Sequence, residues 1–333
     1  MKKIKYIVIA GSSGGHILPA LKYLNKLSTL KEPNKILFIT NEIGLNYLEE
    51  IKNKQVNKLI LSSKNKLAFI LKVFFKLSLV FLFNRKITLV GFGGFITTPI
   101  LLISKLYNIF FLSLNKIYIH EQNIIFGLAN KLNYLFVKNA FISFPKANMR
   151  SKEIFVGNFF VDKNKFREKL DDNYINILLI GGSAGSLDLN YKMLKEVKSL
   201  NIENLKKIKL FIQIPHSYLE NFRKKYADLV DNSRCTFFSF KNNLNHQEYD
   251  FILSRSGSGS MNEILYYTSN VYFIPHLISR DQHQKFNLNY FISHNMSLTK
   301  FQIPNNKKLI SEFYFNKLIN PYSIEKIICY TTR

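Results

Sequence analysis

The chain has 333 residues, 47% of them hydrophobic, and carries 47 Lys and Arg against 22 Asp and Glu, for a formal charge of +25. That apolar content excludes a disordered chain, and the length suits two ordinary domains better than one. Its two cysteines lack metal-ligand spacing, which excludes a disulfide scaffold or a zinc module. The positive surplus calls for an anionic partner: nucleic acid, an anionic membrane or a phosphorylated substrate.

The first predicted element is a buried strand, KKIKYIVIA, running into Gly11-Ser12-Ser13-Gly14-Gly15-His16 and then an apolar helical run. No signal-peptide pattern precedes it. A dinucleotide loop needs G-x-G-x-x-G and an acidic residue at the tip of the next strand. The glycine spacing here differs, and the second strand, KILFIT (35–40), ends in Thr40 and Asn41. There is no G-K-[ST] either, so a nucleoside-triphosphate loop is excluded as well. What remains is a helix N-terminus offering free N–H groups to an anion. His16 sits in the first turn, where the positive helix end favours a neutral imidazole able to accept a proton. A capping or packing histidine is the alternative.

The run KLAFILKVFFKLSLVFLF (66–83) is the one stretch long enough to raise a membrane span. Lys72 and Lys76 lie inside it, one turn apart, and oppose a span. An interfacial helix is expected, with both lysines at headgroups and Phe69, Val73 and Leu77 contacting the bilayer; an ordinary buried helix is the alternative. Lys64, Lys66, Arg85 and Lys86 flank it.

A second strand–glycine–helix unit, KITLVGFGGFITTP (86–99), places Gly91, Gly93 and Gly94 before a helix whose first turn accepts Pro99. The strand KIYIH (116–120) ends in HEQN (120–123), where a histidine, an acid and two amides would be costly to bury without partners. The polar stretch 156–173 reads as an interdomain linker. A third unit, INILLIGGSAGSLDLN (175–190), puts Ser183 at a helix start, and KLFIQI (209–214) and CTFFSF (235–240) follow as strands. A fourth unit, YDFILSRSGSGSMNEILYY (249–267), opens a helix with Ser258, Gly259 and Ser260, leaving room for a diphosphate. Glu263 on that helix suits the paired hydroxyls of a ribose. After the strand NVYFIP (270–275), Asp281, His283 and Gln284 suit a polyol such as a sugar. Strands alternating with helices predict an α/β fold. Two Rossmann-like domains with parallel sheets are expected, facing a cleft lined by the glycine loops.

The segments GSSGGHILPA, GFGGF..TP, HEQN, GGSAGS, SRSG.....E and D.HQ..N, in this order, resemble the MurG family of bacterial peptidoglycan glycosyltransferases. The resemblance implies the GT-B fold. Domain one spans residues 1–157 plus a C-terminal helix at 318–333 and binds the lipid acceptor. Domain two, residues 158–317, binds the nucleotide sugar. It implies inverting transfer of N-acetylglucosamine from UDP-N-acetylglucosamine to undecaprenyl-diphospho-N-acetylmuramoyl-pentapeptide, without metal or cofactor, at the cytoplasmic face of the bacterial plasma membrane. The enzyme would be peripheral to the anionic membrane surface and could work beside other cell-wall proteins. Carried onto this chain, Gly14, Gly15, Gly93 and Gly94 face the acceptor diphosphate. His16 is the leading general base, with Glu121 as the second candidate. Glu121 and Asn123 position acceptor or base, and Asn123 also reaches the donor side. Ser183 touches the UDP phosphates, Glu263 holds the ribose, the backbone at Phe240 and Lys241 reads the uracil, and His283 and Gln284 lie near the sugar. The family's Pro-Val-Arg after Gly157-Asn158 is replaced by Phe159, Phe160 and Val161, so either Lys163 or Arg255 stands in for the arginine or donor binding is weaker. Three alternatives remain open: a UDP-sugar epimerase or another lipid glycosyltransferase, a catalytically decayed membrane scaffold, and a nucleic-acid binder. The scattered lysines, with no RNP or basic-helix pattern, oppose the last.

Overall fold

The computed structural model describes residues 3–61, 66–146, 148–159, 173–182, 185–199, 208–228, 234–239, 244–268, 271–276, 282–293 and 323–332. The chain divides into two compact units, Met1–Val161 with Asn316–Arg333, and Asp162–Phe315. Ser183, Phe240, Lys241, Asp281 and Lys163 lie outside the described residues.

The first unit is a seven-stranded parallel sheet in the order β3-β2-β1-β4-β5-β6-β7. The strands are β1 Tyr6–Ile9, β2 Ile36–Thr40, β3 Asn57–Ile60, β4 Thr88–Gly91, β5 Lys116–Glu121, β6 Asn139–Ile142 and β7 Glu153–Phe155. β2 is buried along its whole length, as a strand covered on both faces must be. Alternation sends Ile7, Ile9, Leu89 and Ile119 to one face, under α3 (Lys66–Phe83) and α4 (Thr97–Phe110). Val8, Phe38, Val90 and Tyr118 go to the other, under α1 (Gly14–Leu30) and α10 (Ser323–Thr332). Between α1 and α3 lies the short α2 (Glu42–Leu45), and α5 (Leu128–Asn133) follows β5. α10 is tied in by Tyr23 Oη and Thr331 Oγ1 at 2.8 Å, by Tyr118 Oη donating to the Tyr330 carbonyl at 3.2 Å, and by the buried Ile327.

α3 corrects one expectation. Phe69, Val73 and Leu77 are buried in the core beneath the helix, together with Phe81, and cannot contact a bilayer. Their four-residue spacing is the core seam. The outward face carries Lys72, Lys76, Phe74, Phe75, Leu79 and Phe83. Among the described residues, no helix is long and apolar enough to cross a membrane.

The second unit is a five-stranded parallel sheet in the order β10-β9-β8-β11-β12. Its strands are β8 Ile175–Ile180, β9 Ile208–Gln213, β10 Cys235–Phe238, β11 Phe251–Arg255 and β12 Val271–Ile274. The described helices are α6 Leu187–Ser199, α7 Leu219–Lys225, α8 Ser258–Tyr267 and α9 His283–Ser293. Ile177, Leu179, Ile212, Phe237 and Leu253 form its core.

In each sheet the strand order reverses once, between β1 and β4 in the first and between β8 and β11 in the second. Loops leaving the carboxyl ends of such a pair diverge to opposite sides and open a crevice, which is where ligands bind in open parallel sheets.

Candidate active site

At the first crevice the loop after β1 meets the loop after β4. Ser12 adopts φ +73, a left-handed conformation unusual for a residue with a side chain. It is held from two sides: its N–H donates to Asn41 Oδ1 at 3.4 Å, and its Oγ accepts from the Phe95 N–H at 3.0 Å. Three strand ends are thereby linked. Ser13 is the residue before α1, and its Oγ lies 3.1 Å from His16 Nδ1. Gly93 and Gly94 have φ of +99 and +87. A Cβ on Gly93 would come within 2.7 Å of the His16 ring, and one on Gly94 within 2.4 Å of the Gly11 carbonyl. The imidazole therefore lies against bare backbone. Gly15 packs toward Gln122, whose Nε2 would be 3.1 Å from an added Cβ. The structure thus brings Gly14, Gly15, His16, Gly93 and Gly94 together around the end of α1.

β5 delivers His120 and Glu121 to opposite faces of the sheet. His120 is buried, with Nε2 3.1 Å from Ser143 Oγ and its ring stacked on Phe159 at 4.5 Å. Burial, with the neighbouring His16 as a smaller cause, pushes its pKa down to about 3, so it is neutral at pH 7. Glu121 is 2% exposed. Its Oε1 accepts from the backbone and side-chain nitrogens of Asn123, and its Oε2 from Gly127 N and Asn130 Nδ2, each at 3.0 Å. A carboxylate accepting four hydrogen bonds holds its loop in place. Glu121 fixes where Asn123 stands.

At the second crevice, Gly181 N donates to Gln213 Oε1 at 3.1 Å, and Gln213 Nε2 donates to the Gly182 carbonyl at 2.9 Å. Ser186 Oγ donates to Asp188 Oδ1 at 2.6 Å and accepts from Arg255 Nε at 3.0 Å. Arg255 also pairs with Asp188 Oδ2 and donates to the carbonyls of Ile274 and Pro275 at 3.3 and 3.0 Å. Burial alone would raise the Asp188 carboxyl, but hydrogen bonds from Arg255 and Ser186 and the guanidinium charge hold it far below the usual carboxylate range. Arg255 is buried and spent on fastening the start of α6 to the ends of β11 and β12. It is not available to replace the family's arginine on a diphosphate, which corrects that expectation.

Ser258 begins α8 and is buried, its carbonyl accepting from Asn262 Nδ2 at 2.7 Å. Gly259 is exposed, and Ser260 and Glu263 are half-buried on the same helix. An added Cβ at Gly257 or Gly259 would meet nothing within 4 Å. His283 begins α9. Gln284 Oε1 accepts from the His276 N–H and its carbonyl accepts from Ser256 Oγ, both at 2.8 Å, so it joins α9 to the ends of β11 and β12. Asn41, Asn130, Ser143, Gln213, Ser186 and Asp188 are supports that the sequence reading missed. Their partners come from distant strands, and no local pattern marks them.

Residues 6–142 match the glycosyltransferase family 28 N-terminal domain, and residues 176–313 match the glycosyltransferase family 28 C-terminal domain. A relative from Wolbachia sp. subsp. Drosophila simulans is named UDP-N-acetylglucosamine--N-acetylmuramyl-(pentapeptide) pyrophosphoryl-undecaprenol N-acetylglucosamine transferase. It is 28% identical over 320 residues, covering 94% of this chain and 90% of its own. The protein of that name from Pelagibacter ubique is 27% identical over 340 residues, covering 95% and 88%. The crystal structure of Acinetobacter baumannii MurG is similar with a TM-score of 0.64 at 22% identity, over 87% of this chain and 84% of that one. UDP-GlcNAc 2-epimerase from Methanocaldococcus jannaschii follows with a TM-score of 0.59 at 13% identity, over 99% of both chains. At these identities the two structures speak to the fold, which is GT-B. With the N- and C-terminal domain models matched in order across most of its length, the chain belongs to glycosyltransferase family 28 and is a glycosyltransferase.

Proposed function

We propose that the chain transfers N-acetylglucosamine from UDP-N-acetylglucosamine to the C4 hydroxyl of undecaprenyl-diphospho-N-acetylmuramoyl-pentapeptide, in peptidoglycan synthesis. The names of its relatives support the substrates. The observation that carries the chemistry is the His16 ring lying against the bare backbone of Gly93 at the first crevice.

In this reading the acceptor hydroxyl oxygen attacks C1 of the donor and the bond from C1 to the diphosphate oxygen breaks, with inversion. The hydroxyl proton passes to His16 Nε2, the lone-pair nitrogen when Nδ1–H donates to Ser13 Oγ. Gly14, Gly15, Gly93 and Gly94 leave room for the acceptor diphosphate beside the N-terminus of α1. Asn123, fixed by Glu121, orients the acceptor or reaches the donor. Charge on the departing UDP is met by the N–H groups at Ser258, Gly259 and Ser260. Glu263 accepts from the ribose hydroxyls, Ser183 contacts the phosphates, Phe240 backs the uracil, and His283 and Gln284 border the sugar. The enzyme docks as a peripheral protein on the cytoplasmic face of the plasma membrane, through the outward side of α3, where Phe75 is 70% exposed beside Lys72 and Lys76.

The test is UDP release by purified protein in lipid-containing detergent, with and without the lipid-linked muramoyl-peptide acceptor. Release only with acceptor supports the reading. Release without acceptor points to an epimerase or hydrolase, and UDP binding without any release to a decayed enzyme; either outcome overturns it.

A further inference from the structure

The backbone against which the His16 imidazole lies is itself braced from behind. The register of the sheet places Gly91 of β4 beside Ile119 of β5, so the residues that follow, Phe92 and His120, are neighbours at the carboxyl ends of the two strands. Their ring centroids are 5.2 Å apart. A third ring comes from Phe159, beyond β7. It stacks on His120 at 4.5 Å and meets Phe92 edge-on at 5.8 Å. Each of the three rings therefore touches the other two. Phe92 is buried, meets Tyr23 of α1 at 5.6 Å, and donates its N–H to the Ile9 carbonyl at 2.8 Å. Where the family carries proline, this chain carries Phe159, and a planar ring is what stacks on an imidazole.

Gly93 follows Phe92 directly. Its carbonyl accepts from Thr97 Oγ1 at 2.7 Å, and its α-carbon faces the His16 ring, as the clash of an added Cβ shows. In a close-packed interior, the place taken by Phe92 sets the place left for the imidazole. Phe159 also reaches the helix that carries His16, because its carbonyl accepts from Lys22 Nζ at 3.3 Å. One residue thus joins β4, β5 and α1 where the three meet around His16. The charged and titratable groups about this cluster are His16 and Lys22 of α1 and Lys326 of α10, which donates to the Phe155 carbonyl at 2.7 Å. Ser143 brings a hydroxyl, and Glu121 points to the other face of β5. With an apolar ring over His120, His16 is left as the imidazole that takes a proton at neutral pH.

We propose that Phe159 is a positioning residue for the transfer reaction, its ring holding Phe92 and His120 so that the Gly93 backbone stays against the His16 imidazole. This rests on His16 being the base in the function proposed above. It makes the segment just after β7 a determinant of turnover, acting through other residues.

The test uses the full chain with UDP-N-acetylglucosamine and the lipid-linked acceptor, and compares Phe159→Ala, Phe159→Leu, Phe159→Tyr and Ile87→Ala. Ile87 is buried just before β4, on the opposite face of the sheet from Phe92, so its truncation weakens the same unit without touching the three rings. Turnover is read well below every unfolding midpoint. Phe159→Ala is expected to lower kcat by about ten- to hundredfold, with UDP affinity within about twofold of wild type. Phe159→Tyr, which keeps the planar ring, restores kcat to within about threefold of wild type, and Phe159→Leu, which restores bulk alone, falls between. Read by NMR, the His120 imidazole of the wild type stays neutral at about pH 5, whereas in Phe159→Ala it starts to protonate between about pH 5 and 6. Wild-type kcat in Phe159→Ala would overturn the proposal, as would an equal loss in Ile87→Ala, an equal loss of UDP affinity, or a Phe159→Tyr chain as slow as Phe159→Ala. A His120 titration left unmoved by Phe159→Ala would overturn it too, since the ring would not then be covering the imidazole. A His16→Ala chain run alongside separates the two claims. If it keeps wild-type turnover, the base assignment falls and this role with it. If it loses turnover while Phe159→Ala does not, the role of Phe159 alone falls.

Discussion

At the first crevice, an added Cβ on Gly93 or Gly94 would strike His16 or the Gly11 carbonyl; at the second, a Cβ on Gly257 or Gly259 would reach nothing within 4 Å. The two crevices hold the same place in their sheets, where strand order reverses, and both are built from glycine-rich turns. In one, glycine is required by the protein itself, which packs loop on loop around an imidazole. In the other, no described residue of the protein requires the glycine, and the space beside it is open. The same residue type therefore reports two different things: a close approach of loop to imidazole on one side and open space at a helix start on the other.

Four measurements sharpen or break this contrast. His16→Ala should have the largest effect, lowering turnover by about 10²- to 10⁴-fold while UDP affinity by titration stays at the wild-type value. A loss of UDP affinity as large as the loss of turnover would break the division of labour. Gly94→Ala adds a side chain at φ +87, 2.4 Å from a backbone oxygen, and should destabilise the chain by about 2 kcal/mol in denaturant unfolding. An unchanged midpoint would show that the loops are not packed as described.

The third is a pH dependence. His120 stays neutral in the folded chain down to about pH 3, whereas in the unfolded chain it protonates near pH 6.5. Its contribution to stability is complete above the unfolded pKa and is lost as pH falls from there toward the folded value. Between pH 6 and 4 the wild type should lose about 1.4 kcal/mol per pH unit more than His120→Asn. Parallel curves would remove the burial argument. The smallest effect is expected for Gly259→Ala, which should stabilise the chain by about 0.4–1 kcal/mol, since the position is helical and open, while weakening UDP binding. Stabilisation with unchanged UDP affinity would show that the open space at α8 is not the donor site.

How much of this was legible depended on range. The apolar runs of β1, β2, β4, β5, β8, β9, β11 and β12 announce themselves because a strand covered on both faces must be apolar throughout. β3, β6 and β7 did not, because each opens on a polar residue (Asn57, Asn139, Glu153) and has no long apolar run, and β3 and β7 lie at the edges of the sheet. Glu153 in β7 reads as a surface residue, yet it is buried, paired with Lys146 at 2.9 Å and Arg150 at 3.2 Å. In α3 the four-residue spacing of Phe69, Val73 and Leu77 was visible, but the helix is apolar around most of its circumference, so periodicity alone does not say which side meets the core. At the sites, the glycine turns, His16 and HEQN stood out because local chemistry marked them. Gln213, Ser143 and Asp188 did not, because their roles are made by partners more than twenty residues away.

α10 has a consequence for how the chain is made. Ile327, fully buried against α1, and Thr331, bonded to Tyr23, are among the last described residues, yet they complete the core of the unit that starts at the N-terminus. During synthesis the whole of Asp162–Phe315 emerges before that core can close. At the usual pace of translation this takes roughly 10–30 s. Over that interval the groove on α1 stands bare, and the half of the molecule that begins first is the last to finish folding.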